Sequence, residues 1–252
     1  MRASRIALTA VALLAQTTAA PASRWIGHEP QVELHLRSAA VTRVENVGTG
    51  VTRPRRAYFS SPDPVASCAW KVLPPGRRGG YWESYKSEIA AYELDKLLGL
   101  GMVPPAVEKR WQGDLGAAIL WVEGVRSWKV AEAETKPPKW NREAVRMKMF
   151  DNLIANIDRN AGNLLIDADW NLFLIDHSRA FITDTKLRNV MTRVDREIWD
   201  RMLALDEPTL NVAIGPWVER GAIRAILKRR DNMKNAIDAM LKTSSEAAVF
   251  IK

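Results

Sequence analysis

Residues 156–181 read NIDRNAGNLLIDADWNLFLIDHSRAF, and the rest of the chain is interpretable outward from them. A polar loop, Asn156 to Asn163, precedes a short apolar run, Leu164 to Ile166. An Asp- and Asn-rich turn, Asp167 to Asn171, leads into a second apolar run, Leu172 to Ile175. Two β-prone runs joined by such a turn predict a hairpin. Its ends then lie side by side. Asp158 and Asn163 flank the entry and Asp176 stands at the exit, so two carboxylates and a carboxamide gather at one rigid sheet edge.

This set suits phosphoryl transfer to an acceptor hydroxyl. Asp158 would orient the hydroxyl and take its proton. Asn163 and Asp176 would hold Mg²⁺ or Mn²⁺, which neutralises the phosphates of ATP. The Asp158–Asn163 spacing matches the Asp-x-x-x-x-Asn of kinase catalytic loops. Alone, that spacing is weak, and a surface hairpin with acidic turns carries it too. The reading rests on its position before a hairpin that ends in Ile175-Asp176.

IDRNAGNLL followed by FLIDHSRAF resembles the atypical kinases related to phosphatidylinositol 3/4-kinases, secretory-pathway protein kinases and HipA-like kinases. The resemblance covers residues 47–181. It implies a minimal two-lobed α+β fold: a β-rich N-terminal lobe with one helix, over residues 23–122, and a mainly helical lobe over 123–252. ATP would lie between them. The triplet after the hairpin is Asp-His-Ser (Asp176 to Ser178), not Asp-Phe-Gly.

The chain opens with Arg2 and Arg5, then an uncharged, largely apolar run from Ile6 to Ala20 and an Ala-x-Ala site at Ala20-Pro21-Ala22. That predicts a secretory signal peptide over residues 1–22, too short to span a bilayer, with no transmembrane segment in the mature chain. The protein would then be exported, periplasmic or secreted; if the leader is not a true signal peptide, it would be cytoplasmic. Export raises the question of where ATP comes from. Removing the leader lowers the net charge from +8 to about +6, a moderate basicity that favours anionic ligands. No nucleic-acid motif is present. A single cysteine, Cys68, excludes an intrachain disulfide and reads as a core residue.

Residues 23–36 show no clear pattern and read as an extended arm. Two strands, 40–47 and 56–59, follow around a loop containing Gly48, Gly50 and Arg53, with Arg55 and Arg56 at its exit. Such a loop suits phosphate binding, although it is not Gly-x-Gly-x-x-Gly and an ordinary hairpin turn fits equally well. Residues 66–73 form a third strand, in which the ammonium of Lys71 must be paired or reach water. The kinase resemblance gives Lys71, in Ala69-Trp70-Lys71, the nucleotide phosphates. A helix is expected over 82–98, and its periodicity leaves both Glu88 and Glu93 open as the partner of Lys71. SEIAAYELDKLLGLGMVPP resembles the corresponding helix of secretory-pathway kinases, which implies Glu88. Trp121-Val122-Glu123 resembles the adenine-binding linker of type II phosphatidylinositol 4-kinases. Asn141 reads as the cap of a helix leading into the Asp158 loop, and helices follow at 196–205, 208–214 and 221–241.

The expected activity is an ATP-dependent kinase acting on a hydroxyl, with protein serine or threonine favoured over a phosphoinositide or a small molecule. Two rivals use the same fold: a nucleotide-binding pseudokinase without turnover, and an adenylylating transferase with ATP bound in reverse.

Overall fold

The computed structural model describes residues 25–48 and 55–251. The expected signal peptide and Gly50 lie outside the described residues.

The segment expected as an extended arm is helical, α1 (Glu29–Ser38). Pro30 sits in its first turn, where a missing N–H costs nothing. Only Val32 and Leu36 are buried, one turn apart, which is too small a stripe to read as a period. Its C-terminal end is held instead by Lys109, whose Nζ donates to the carbonyls of Leu36, Arg37 and Ala39 at 3.1, 2.9 and 2.8 Å. A cation on the last carbonyls of a helix satisfies groups that have no partner within it.

Strands β1 (Val41–Asn46), β2 (Arg55–Phe59) and β3 (Ser67–Lys71) follow. Next come a short hairpin, β4 (Gly76–Arg78) and β5 (Tyr81–Glu83), the helix α2 (Lys86–Leu98), and strands β6 (Ala106–Trp111) and β7 (Asp114–Leu120). The antiparallel sheet runs β1-β2-β3-β7-β6. Lys71 is therefore on the central strand and has no edge from which to reach water. Opposite it, a Cβ on Gly116 would stand 2.5 Å from the Lys71 carbonyl oxygen, so only glycine lets β7 close against this point.

Helix α2 begins four residues later than the expected start at Trp82. Gly79 and Gly80, with φ of 54° and 84°, make the tight turn that folds 81–83 back as β5. The helix stops at Gly99, whose φ of 59° is the left-handed conformation of a helix C-terminus.

The second half opens with β8 (Arg126–Ser127), α3 (Trp128–Ala131) and α4 (Lys139–Ile154). Asn141 does not cap α4: the helix begins two residues earlier, behind Pro138, with no side-chain cap. Proline supplies the fixed φ that starts the turn. After a 3₁₀ turn at Ala161–Asn163, β9 (Leu164–Ile166) and β10 (Leu172–Leu174) form the expected hairpin, extended by β8 to three strands. Asp167 closes its turn by accepting from the N–H groups of Asp169 and Asn171. Trp128 and Trp140 stack at 4.3 Å, with Trp170 edge-on to Trp140.

The remaining elements are β11 (Val194–Asp195), α5 (Arg196–Leu203), α6 (Glu207–Ile214), α7 (Arg220–Leu241), α8 (Glu246–Val249) and β12 (Phe250–Ile251). They pack with α4 and α2 into one core that includes Leu94, Phe150, Trp199, Ile223 and Met233. A second core, with Trp25, Cys68, Trp70 and Phe173, lies between α1 and the sheet. No described helix is long and apolar enough to cross a membrane.

Candidate functional site

Lys71 ends the central strand and is only 7% exposed. Its Nζ lies 2.6 Å from Glu88 Oε1 and 2.6 Å from Asp176 Oδ1. Strand β3 presents the lysine, the first turn of α2 presents Glu88, and the end of the β9–β10 hairpin presents Asp176. Burial opposes the charge on Lys71, but the two carboxylates outweigh it and hold the ammonium above its ordinary range. Burial likewise opposes the charge on Glu88, which Lys71 and His177 overcome, keeping its carboxyl well below the usual range. The alternative glutamate, Glu93, pairs with Lys96 instead.

Asp176 has φ of 60°, a left-handed conformation uncommon for a residue with a Cβ. Lys71 and Ser178 Oγ both donate to its Oδ1. The main chain closes the hairpin beside it, Ile175 N–H to Asn163 O at 3.1 Å. Asn163 donates through Nδ2 to the carbonyl of Asp158 at 3.0 Å, which fixes the loop between them. Among the described residues, Asn163 Oδ1 and Asp176 Oδ2 accept no hydrogen bond. These are hard oxygen donors at adjacent ends of a hairpin, and they fit Mg²⁺ or Mn²⁺. No cluster of three or more His, Cys, Asp or Glu with metal-binding spacing occurs among the described residues. A divalent ion here would therefore draw its other ligands from nucleotide and water.

Asp158 is the most open member, its side chain 40% exposed. Its Oδ2 accepts from Arg179 Nη1 at 3.2 Å, and its Oδ1 is unengaged among the described residues.

Beneath the loop, Arg159 pairs with Asp151 of α4 and donates from Nη1 to the carbonyls of Asn163 and Ile175 at 3.1 and 2.8 Å. Its Nη2 meets His177 Nε2 at 3.0 Å. A guanidinium only donates, so Nε2 is the acceptor and the ring proton sits on Nδ1, facing Glu88. Burial lowers the His177 pKa below its ordinary value. Sequence reasoning missed Asp151 and Arg179. The one available signal for Asp151 was an acid inside the apolar run MFDNLI.

The linker residues sit at the other end of β3. Trp121 N–H donates to Ser67 O, whereas Lys71 pairs with Ala117, about 13 Å along the strand. Val122 is buried, and Arg56 lies over the Trp121 ring and pairs with Glu123. Arg56 is thus committed to the linker and to Ser67, not to an open phosphate loop. Gly48 ends the described part of β1's exit, so the glycine loop lies mostly outside the described residues.

No protein-family model matches this chain, and no curated protein matches it. Solved structures do. Hydra Fam20 with sugar superposes at a TM-score of 0.72 and 16% identity, covering 89% of this chain and 92% of that one. The Golgi casein kinase with Mn/ADP bound gives 0.66 and 13%, covering 90% and 79%. The chain has an atypical protein-kinase-like fold. The Helicobacter pylori proinflammatory kinase CtkA lies further off, at 0.52 and 13%, covering 83% and 98%. On this kinase-like fold, Lys71, Glu88 and Asp176 form one hydrogen-bonded group, with Asp158 and Asn163 joined to it through the hairpin's main chain.

Proposed function

We propose that the protein is an ATP-dependent phosphotransferase that moves the γ-phosphate to a hydroxyl, with protein serine or threonine as the favoured acceptor. The observation that carries this reading is the Lys71 ammonium held at 2.6 Å by both Glu88 and Asp176. A purely structural role needs one counter-ion for a buried lysine. Two carboxylates from two different elements leave an excess negative charge that a divalent cation can offset, and that cation with the ammonium can in turn attract phosphates.

In this reading ATP lies between a sheet lobe, 23–122, and a helical lobe, 123–252. The base rests against the main chain of Trp121-Val122-Glu123. Lys71, kept in position by Glu88, binds phosphate oxygens. Asn163 Oδ1 and Asp176 Oδ2 would hold Mg²⁺ or Mn²⁺, which when bound neutralises charge on the phosphates. Asp158 orients the acceptor hydroxyl through Oδ1. As the acceptor oxygen bonds to the γ-phosphorus and the bond to ADP breaks, the hydroxyl proton passes to Asp158. The Golgi casein kinase among the similar structures supports a protein acceptor, and its Mn/ADP supports the nucleotide and ion.

The test is a nucleotide-dependent thermal shift with and without Mg²⁺ or Mn²⁺, followed by ADP release and mass spectrometry of dephosphorylated casein. Metal-dependent binding with a gain of phosphate supports the proposal. A gain of adenylate indicates the reversed transferase. Binding without turnover that survives Asp158→Ala indicates the pseudokinase.

A further inference from the structure

Arg179 is absent from the roles assigned above, yet it touches the catalytic carboxylate. Its Nε and Nη2 lie 2.8 and 2.7 Å from Glu83 Oε1, and its Nη1 lies 3.2 Å from Asp158 Oδ2. The Tyr81 ring covers the outer side, 4.7 Å from the guanidinium carbon. Glu83 is buried on β5, and a buried carboxylate requires a cation. Among the described residues, Arg179 is the cation that pairs with it. The main chain fastens the same place, since Ser84 N–H donates to Ser178 O at 3.0 Å. The guanidinium is thus fixed from the β4–β5 side, and its remaining arm points at Asp158.

The two halves of this bridge differ in kind. The Glu83 half is buried and structural. The Asp158 half is partly exposed, and pairs of that sort add little to stability. What the Asp158 half supplies is direction. With Oδ2 engaged by a donor that cannot swing away, only Oδ1 is free to meet a hydroxyl. A rigid planar fork can serve two carboxylates at once, which the single point charge of a lysine cannot.

We infer that Arg179 is the positioning residue of the acceptor site. Anchored on Glu83, it holds Asp158 by one oxygen and so sets which oxygen accepts the acceptor's proton, tying the catalytic loop to the β4–β5 hairpin. This rests on the phosphotransferase reading of Asp158.

The experiment compares ADP release, with and without dephosphorylated casein, for the wild type, Arg179→Lys and the double variant Glu83→Gln/Arg179→Gln. Arg179→Lys keeps a cation beside Glu83. The double variant removes both charges together, so neither variant leaves a buried carboxylate without a counter-charge. The expected result is a kcat lower by about 10- to 100-fold in both, because small misplacements of a reacting group cost that much. The KM for ATP and the nucleotide-dependent thermal shift stay at wild-type values. Wild-type kcat in either folded variant overturns the inference, as does a parallel loss of nucleotide binding, which marks Arg179 as a general structural support. A wild-type chain that binds nucleotide but releases no ADP overturns the phosphotransferase reading itself, and this inference with it.

Discussion

Arg159 and Asp151 face each other in parallel, Nε to Oδ2 and Nη2 to Oδ1, both at 3.0 Å. The pair is almost fully buried, and the third nitrogen of the same guanidinium takes both carbonyls that end the hairpin. One side chain therefore joins α4, the Asp158 loop and the exit to Asp176. Removing one partner of a buried pair leaves the other charge unmatched, at about 3–5 kcal/mol. Arg159→Ala should lower the melting temperature by roughly 10 °C, since each kcal/mol is worth roughly 2–4 °C in a chain of this size. Arg159→Lys should recover only part, lacking the second parallel contact. Thermal and urea melts check this, and an Arg159→Ala protein as stable as wild type would contradict it.

Lys71 separates stability from turnover. Lys71→Met strands the buried Glu88 carboxylate beside the His177 main-chain N–H at 2.9 Å and the neutral His177 ring Nδ1 at 3.5 Å, with no counter-charge, so it should destabilise by about 3–5 kcal/mol. Lys71→Met/Glu88→Gln removes both charges and should regain most of that loss. If the proposed phosphotransferase role of Lys71 holds, turnover should stay at least about 100-fold down in both variants, because nothing would replace the ammonium at the phosphates. Melting temperatures and ADP release together decide the matter. A double variant no more stable than the single one would show that Glu88 is satisfied without Lys71.

The elements that carry the site were legible because their signals are local. Leu164–Ile166 and Leu172–Leu174 read as strands from their own composition, and the turn between them from Asp167 and Asn171. Glu88 was not legible from periodicity, since α2 buries two faces: leucines meet the helical core while Glu88 turns toward β3. Helix α1 escaped notice because its stabilising partner, Lys109, is some 70 residues downstream. The β4–β5 hairpin consists of two three-residue strands, shorter than any alternation can reveal. Arg179 escaped for the same reason as Lys109: its meaning lies in Glu83 and Asp158, neither near it in sequence.

Cys68 should be chemically silent. It has no exposed surface, and burial, only slightly offset by Lys109, pushes the thiol up to about 12. The thiolate is the reactive form, so alkylation at pH 8 should proceed only through unfolding. Iodoacetamide labelling followed by mass spectrometry should show an unmodified native protein and complete modification in denaturant. Rapid native labelling would mean that the core between α1 and the sheet opens readily.

Asp95 gives the fold a pH dependence of unusual sign. It is buried near the end of α2, where its carboxylate accepts from the N–H groups of Gly101, Met102 and Val103 at 3.0, 3.0 and 3.1 Å. Burial dominates these three donors and pushes its pKa from 3.8 up to about 7. Between those values the folded protein keeps a proton that the unfolded chain has released. The contribution of Asp95 is therefore complete below about pH 4 and is lost as pH rises through about 7. Asp95→Asn resembles the protonated acid but cannot ionise. It should be less stable than wild type at pH 5, having only one accepting oxygen, and the gap should close by about 1–3 kcal/mol on going to pH 8. Urea melts of both proteins at three pH values measure this. A gap that stays constant from pH 5 to pH 8 would mean that the three N–H donors outweigh burial and that the carboxylate is charged throughout.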